Sequence, residues 1–179
     1  MANIFFTSDW HLGHANILTF KNYDETVVRD FSHVDEMHEY MIAQHNSVVK
    51  PNDKVYVLGD VCFTNKWLPL VDRFNGEKVL IKGNHDNLKL SQYEQYFKDV
   101  RGSHQFKGVL MSHIPVHPES LARWGFNIHG HLHSNRVLDY HNKIDHRYLN
   151  VSVESLKDYT PISLEQALSI KNLHLNQTV

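Results

Sequence analysis

Disulfides, membrane spans and an excess of one charge are all missing from this chain. A single cysteine, Cys62, excludes an internal disulfide framework. No apolar run approaches the roughly 20 residues needed to cross a bilayer, which argues against a membrane span. Neither sign of charge dominates: 18 Lys and Arg stand against 20 Asp and Glu, for a net charge of -2. That balance gives no basic stripe of the kind that neutralises phosphates in non-specific nucleic-acid binders, so extended duplex nucleic acid is not an expected partner. The opening Met1 to His14 is too short and too polar for a secretory leader, and the cytoplasm is the expected location. No linker, internal repeat or low-complexity stretch divides the chain, so residues 1–179 are expected to form one domain, whose 41% hydrophobic content can supply a core.

What the chain has in surplus is histidine, 15 in all. Imidazole is the commonest metal-ligating side chain and titrates near neutrality, so placement decides what the surplus means. Ile4 to Thr7 is a short apolar and β-branched run that ends in Ser8, Asp9, Trp10 and His11. The same grammar recurs: Lys54 to Leu58 runs into Gly59 and Asp60, Lys78 to Ile81 into Gly83, Asn84, His85 and Asp86, Gly108 to Met111 into Ser112 and His113, and Phe126 to Ile128 into Gly130, His131 and His133. Each reads as a buried strand that delivers polar residues at its carboxyl end. Between the first two strands, Ser32 is expected to cap a helix near residues 33–47 with Val34, Met37, Met41 and Ile42 on one face. Weaker helical stretches fall at Asn65 to Phe74 and Leu88 to Phe97, separated by a turn at Asn75 and Gly76. Tyr148 to Val153 reads as another strand, and Ser163 to Gln166 as a capping box before a final helix and a frayed polar tail. Residues 115–125 and 134–146 are expected to be surface loops. Strands alternating with helices predict an α/β fold, with the five polar segments gathered along one sheet edge.

Taken singly, each segment has a bland explanation. Asp9 and His11 sit at i and i+2, which keeps both on one side if the strand continues. Gly59 before Asp60 permits a sharp turn, and Asn84 can stabilise one. Cys62 reads as a small buried residue. Taken jointly, five strand ends carrying Asp, Asn or His point to a site, and mixed carboxylate, amide and imidazole donors suit Mn²⁺, Fe²⁺, Zn²⁺ or Ni²⁺ better than Ca²⁺. The absence of a thiolate cluster argues against a structural zinc.

In this order, Asp9-x-His11, Gly59-Asp60, Gly83-Asn84-His85-Asp86, Ser112-His113 and Gly130-His131-x-His133 resemble the calcineurin-like metallophosphoesterase superfamily, and the tail from Tyr148 to Leu164 is similar to its small bacterial and phage members. The resemblance implies a four-layer αββα sandwich of two mixed β-sheets flanked by helices, with two cations about 3.5 Å apart. It further implies one metal on Asp9, His11, Asp60 and His133 and a second on Asp60, Asn84, His113 and His131, with Asp60 as the bridge. The implied reaction is metal-assisted hydrolysis: a water shared by the cations attacks phosphorus in line, with Mn²⁺ as the expected ion and a small nucleotide-like phosphoester as the expected substrate. His85 would protonate the leaving oxygen or stabilise phosphoryl charge, and Asp86 would orient the His85 ring.

Two departures narrow the activity. The phosphoprotein phosphatases of the superfamily carry arginines where this chain has Lys82 and the segment Val61, Cys62, Phe63, which argues against protein substrates. Thr7 to Gly13 resembles the opening of the DNA-repair nucleases, so a nuclease acting on short or single-stranded ends is one alternative; a non-catalytic metal-containing binding protein is another. His14 and Arg123 are candidates to hold substrate phosphate. Trp124 and Tyr140 are expected to pack rather than stack on a base. The histidines at 33, 38, 45, 104, 117, 129, 141, 146 and 174 are assigned surface or structural roles.

Overall fold

The computed structural model describes residues 2–175; the polar tail and the side chain of His174 lie outside the described residues. The chain begins with β1 (Ile4–Thr7), crosses through α1 (Val34–Val48) to β2 (Lys54–Val57), and continues to β3 (Glu77–Ile81), α2 (Leu90–Tyr93) and β4 (Asp99–Arg101). These strands form a five-stranded sheet in the order β4-β3-β2-β1-β9, in which only β9 (Ile162–Ser163) runs antiparallel. A second sheet in the order β5-β6-β7-β8 joins β5 (Ser103–Phe106), antiparallel, to β6 (Val109–Ser112), β7 (Asn127–His129) and β8 (Tyr148–Asn150), which are parallel. The final α3 spans Leu164–Leu175.

Two cores explain why β1, β2 and β3 read as nearly unbroken apolar runs: both faces of the larger sheet are covered. Phe5, Val55, Val57 and Leu80 face α1 and bury Met37, Met41 and Ile42. Their neighbours Phe6, Tyr56, Leu58, Val79 and Ile81 face the second sheet and meet Val109, Met111 and Ile128. α3 joins this inter-sheet core through Ala167. The fold is therefore the expected α/β sandwich of two mixed sheets with helices. The segment that follows β6 holds the 3-10 turn Pro118–Leu121 and is bonded to the smaller sheet by the Val116 N–H on Asn127 Oδ1 and the Tyr148 O–H on the Val116 carbonyl.

Several local expectations are corrected. α1 is capped by His33, whose Nδ1 accepts the Glu36 N–H at 3.0 Å, while the Ser32 amide donates to the Glu36 carboxylate at 2.8 Å; the cap is one residue later because an imidazole supplies the acceptor. The stretch at 65–74 forms a 3-10 helix, Leu68–Arg73, with a proline in its first turn, and that at 88–97 shortens to the four residues of α2. The Tyr148 strand stops at Asn150, followed by the 3-10 turn Val153–Ser155. The capping box at α3 is present, with Ser163 and Gln166 exchanging backbone and side-chain hydrogen bonds. No helix among the described residues is long and apolar enough to cross a membrane.

Candidate metal centre

The polar segments gather at the shared carboxyl ends of both sheets rather than along the edge of one. Segments after β1 and β2 run side by side: the amides of Asp9, His11 and Leu12 donate to the carbonyls of Gly59, Asp60 and Val61 at 2.8–3.0 Å. The Val153 N–H donates to the Ser8 carbonyl, carrying the chain after β8 to the same seam. The side-by-side placement of Asp9 and His11 does not come from continued strand. Both have positive φ, 60° and 48°, as do Asp60, His131 and His133, so the chain curls at these five of the seven expected ligand positions.

Two clusters result. Asp9, His11 and His133 offer ligand atoms within 4.8 Å of one another, and so do Asp60, His113 and His131. Asp60 lies between them, with Oδ2 3.6 Å from His11 Nε2 and 3.3 Å from His113 Nε2. Asn84 closes the second group, its Oδ1 2.9 Å from His113 Nε2. Gly83 makes this approach possible, since a Cβ there would stand 2.2 Å from Asp60 Oδ1.

The hydrogen bonds leave one face of each ligand free. Asp9 Oδ2 accepts from the His131 amide and the Ser152 hydroxyl, both at 2.9 Å, whereas buried Asp9 Oδ1 and His11 Nε2 have no partner. Asp60 Oδ1 accepts the His85 N–H at 2.9 Å, leaving Oδ2 inward. His113 Nδ1 donates to the Leu58 carbonyl, so its neutral ring presents a lone pair at Nε2 toward Asn84 Oδ1 and Asp60 Oδ2. Acceptors facing acceptors need a proton or a cation among them. Burial opposes charge on His113, but the Asp60 carboxylate 3.3 Å away and the nearby Asp9 charge outweigh this and raise its pKa, the proton being one way to fill the gap. Burial likewise pushes Asp9 up, yet the His11 ring 3.8 Å away and the His113 and His133 charges bring it down overall. Buried unpartnered atoms and a mixed oxygen and nitrogen donor set fit divalent first-row cations.

A supporting layer escaped the sequence reading. His133 Nδ1 donates to Glu154 Oε1 at 2.9 Å, and Glu154 accepts from Arg29 Nε at 2.7 Å. Arg29, fully buried, also donates to the Trp10 carbonyl at 2.9 Å and to the Asp9 carbonyl. Burial raises the Glu154 pKa, but the Arg29 charge and the His133 hydrogen bond outweigh it, so the carboxyl stays below its ordinary range. The sequence signals this pair only weakly: Arg29 follows Val27 and Val28 but stands next to Asp30, and Glu154 follows Val153.

The remaining site expectations divide. The His85 ring is exposed, edge-on to Phe63 at 4.7 Å and 5.7 Å from the His11 ring. His14 also stands edge-on to Phe63, 4.6 Å away, and meets His11. Asp86 departs from its expected role: it is fully buried, and its carboxylate accepts the amides of Asp60, Val61 and Gly83 at 2.8–2.9 Å, with no contact to the His85 ring. It fixes the backbone of the Asp60 loop instead. Arg123 is exposed in the loop that enters the amino end of β7, whereas His131 and His133 follow the carboxyl end, and no contact joins it to the cluster. Cys62 is buried, with burial pushing its thiol up to about 12, so it remains protonated. His38, His45 and His129 are buried structural groups.

A family model described as calcineurin-like phosphoesterase matches residues 2–172. The uncharacterized protein MJ1445 of Methanocaldococcus jannaschii is 34% identical over 172 residues, covering 92% of this chain and 89% of that protein. The gene 66 protein of Mycobacterium phage L5 is 27% identical over 195 residues, covering 87% and 88%. Among solved structures, AQ665 of Aquifex aeolicus, a protein of unknown function, overlays with a TM-score of 0.72 at 27% identity, covering 95% of this chain and all of that one.

Proposed function

The chain belongs to the calcineurin-like phosphoesterase family, and from that premise we propose that it hydrolyses small phosphorylated molecules of the nucleotide kind, using two divalent cations. The observation that carries this reading is the inward convergence of Asp60 Oδ2, Asn84 Oδ1 and His113 Nε2 beside the unpartnered Asp9 Oδ1 and His11 Nε2. One cation would sit on Asp9, His11, Asp60 and His133, the other on Asp60, Asn84, His113 and His131. Mn²⁺ suits the donor set and is the ion proposed. Bound there, the cations supply Lewis-acid chemistry, drawing charge from phosphoryl oxygens and lowering the pKa of water.

The protein's own groups do the rest. Leu58 and Glu154 hold the Nδ1–H of His113 and His133, so each ring presents Nε2 to the centre. The His85 amide fixes the Asp60 carboxylate, while its exposed ring, which makes no hydrogen bond among the described residues, can deliver a proton to the leaving oxygen. His14, beside Phe63, can hold a phosphate oxygen.

The test is a screen of the purified protein, stripped and reloaded with Mn²⁺, against phosphomonoesters and phosphodiesters including cyclic nucleotides. Hydrolysis is expected with metal and not in chelator. Asp60→Asn should lose metal and activity together, whereas His85→Ala should keep its metal while turnover falls about 100-fold or more. Undiminished hydrolysis in chelator, or a fully active His85→Ala, would contradict the respective assignments.

A further inference from the structure

The two flanks of the candidate centre differ in chemistry. On the Asn84 and His113 side lies a cleft of about 450 Å³ that carries Lys82 and has no ring but His113 in its wall. On the His133 side lies a cleft of about 620 Å³ between His133, Ser134 and Asn135 and the loop 20–28. This loop is ordered by its own backbone. Asn22 N–H donates to the Thr26 carbonyl and Val28 N–H to the Phe20 carbonyl, both at 2.8 Å, and Ser134 Oγ donates to Asn22 Oδ1 at 2.5 Å, tying the loop to the segment that carries His133.

The loop holds its shape without burying its rings. Tyr23 is 99% exposed and Phe20 47%, and both line the cleft. Phe20 meets the edge of His14, which meets His11, so a line of rings leads from the cleft to the ligands. Across from them, the Asn135 side-chain amide lines the same wall and makes no hydrogen bond among the described residues. Tyr140, 91% exposed, is a ring of similar freedom, but its cleft contains none of the seven proposed ligands.

We propose that the His133-side cleft receives the planar ring of the substrate's organic group, so that the preferred phosphoester is nucleotide-like, its base stacked on Tyr23 and its polar edge met by Asn135. The phosphoryl group then lies over the cation centre, with Lys82 on the far flank. An aromatic face binds any base through stacking, typically worth about 1–3 kcal/mol, and an amide offers both a donor and an acceptor to a base edge. This rests on the phosphoesterase reading above and adds the place where the base of such a substrate is held.

The test compares two hydrolysis-resistant probes by calorimetry on the manganese-loaded protein: adenosine 5′-phosphorothioate and ribose 5-phosphorothioate, which lacks the base. The adenosine probe should bind about tenfold tighter or better. Tyr23→Ala should remove most of that preference without weakening the ribose probe, and Tyr23→Phe should retain it. Because Tyr23 is solvent-exposed, its loss does not threaten folding. Equal binding of the two probes, no binding of the adenosine probe, or a preference untouched in Tyr23→Ala would overturn the proposal. Failure of the hydrolase reading looks different: base-dependent binding through Tyr23 without hydrolysis of any phosphoester. Hydrolysis with equal probe affinities would remove the base site and leave the hydrolase.

Discussion

Asp9, His11, Asp60, His131 and His133 all hold positive φ, a conformation that costs a non-glycine residue on the order of 1 kcal/mol or more. Such positions persist when the surroundings over-determine them, and here the surroundings can be named. Asp86 binds three amides of the Asp60 and Gly83 loops, and Arg29 binds the carbonyls of Asp9 and Trp10 while pairing with Glu154. Arg29→Met should therefore destabilise the protein by about 3–5 kcal/mol, because Glu154 is left buried without its partner charge. Adding Glu154→Gln should recover part of that loss in urea denaturation. It should not restore Mn²⁺ affinity, expected to fall about 10–100-fold once His133 loses its carboxylate anchor. An Arg29→Met protein as stable as wild type would remove Arg29 from this role.

Among the elements, α1 does more than cover the sheet, because its two buried imidazoles tie it to connecting loops. His38 Nε2 accepts the Gly13 N–H at 2.8 Å, and His45 Nε2 donates to the Asn75 carbonyl at 3.0 Å. Burial lowers the His45 pKa to about 4, with the Asn75 hydrogen bond opposing the shift and the Lys78 charge adding to it. In the unfolded chain the same group takes a proton near pH 6.5. The sign follows: stability from a neutral His45 is complete above pH 6.5 and is lost as pH falls from there toward 4, by about 1.4 kcal/mol per unit. Between pH 7 and pH 5 wild type should therefore lose about 2 kcal/mol more than His45→Gln, compared by urea denaturation. Equal losses would show that His45 is not the acid-sensitive group.

The same scale shows which elements a sequence reveals. β1, β2, β3, β6 and β7 were legible because burial on both faces, or against the second sheet, forces continuous apolar runs. β4, β5 and β9 were not, since short edge strands such as Ser103–Phe106 alternate polar residues and carry no such run. The ligand positions were legible as residue types at strand ends. Their geometry was not: the i, i+2 argument assumed extended chain where the backbone is left-handed. Glu154, Arg29 and Ser152 were hidden because each meets its partner 21, 125 and 143 residues away in sequence, a proximity only the fold creates.

For the whole molecule, two sheets packed face to face bring five strand ends to one seam, and every cluster of lone pairs described above lies on it. The seam is proposed to hold two cations that share Asp60. Titration of the metal-stripped protein with Mn²⁺, followed by calorimetry and by metal content after dialysis, measures that claim directly. Two ions per chain are predicted for wild type, with affinity at both sites lost in Asp60→Asn. A folded wild-type chain that takes up no Mn²⁺, or an Asp60→Asn protein that still binds two ions, would contradict it.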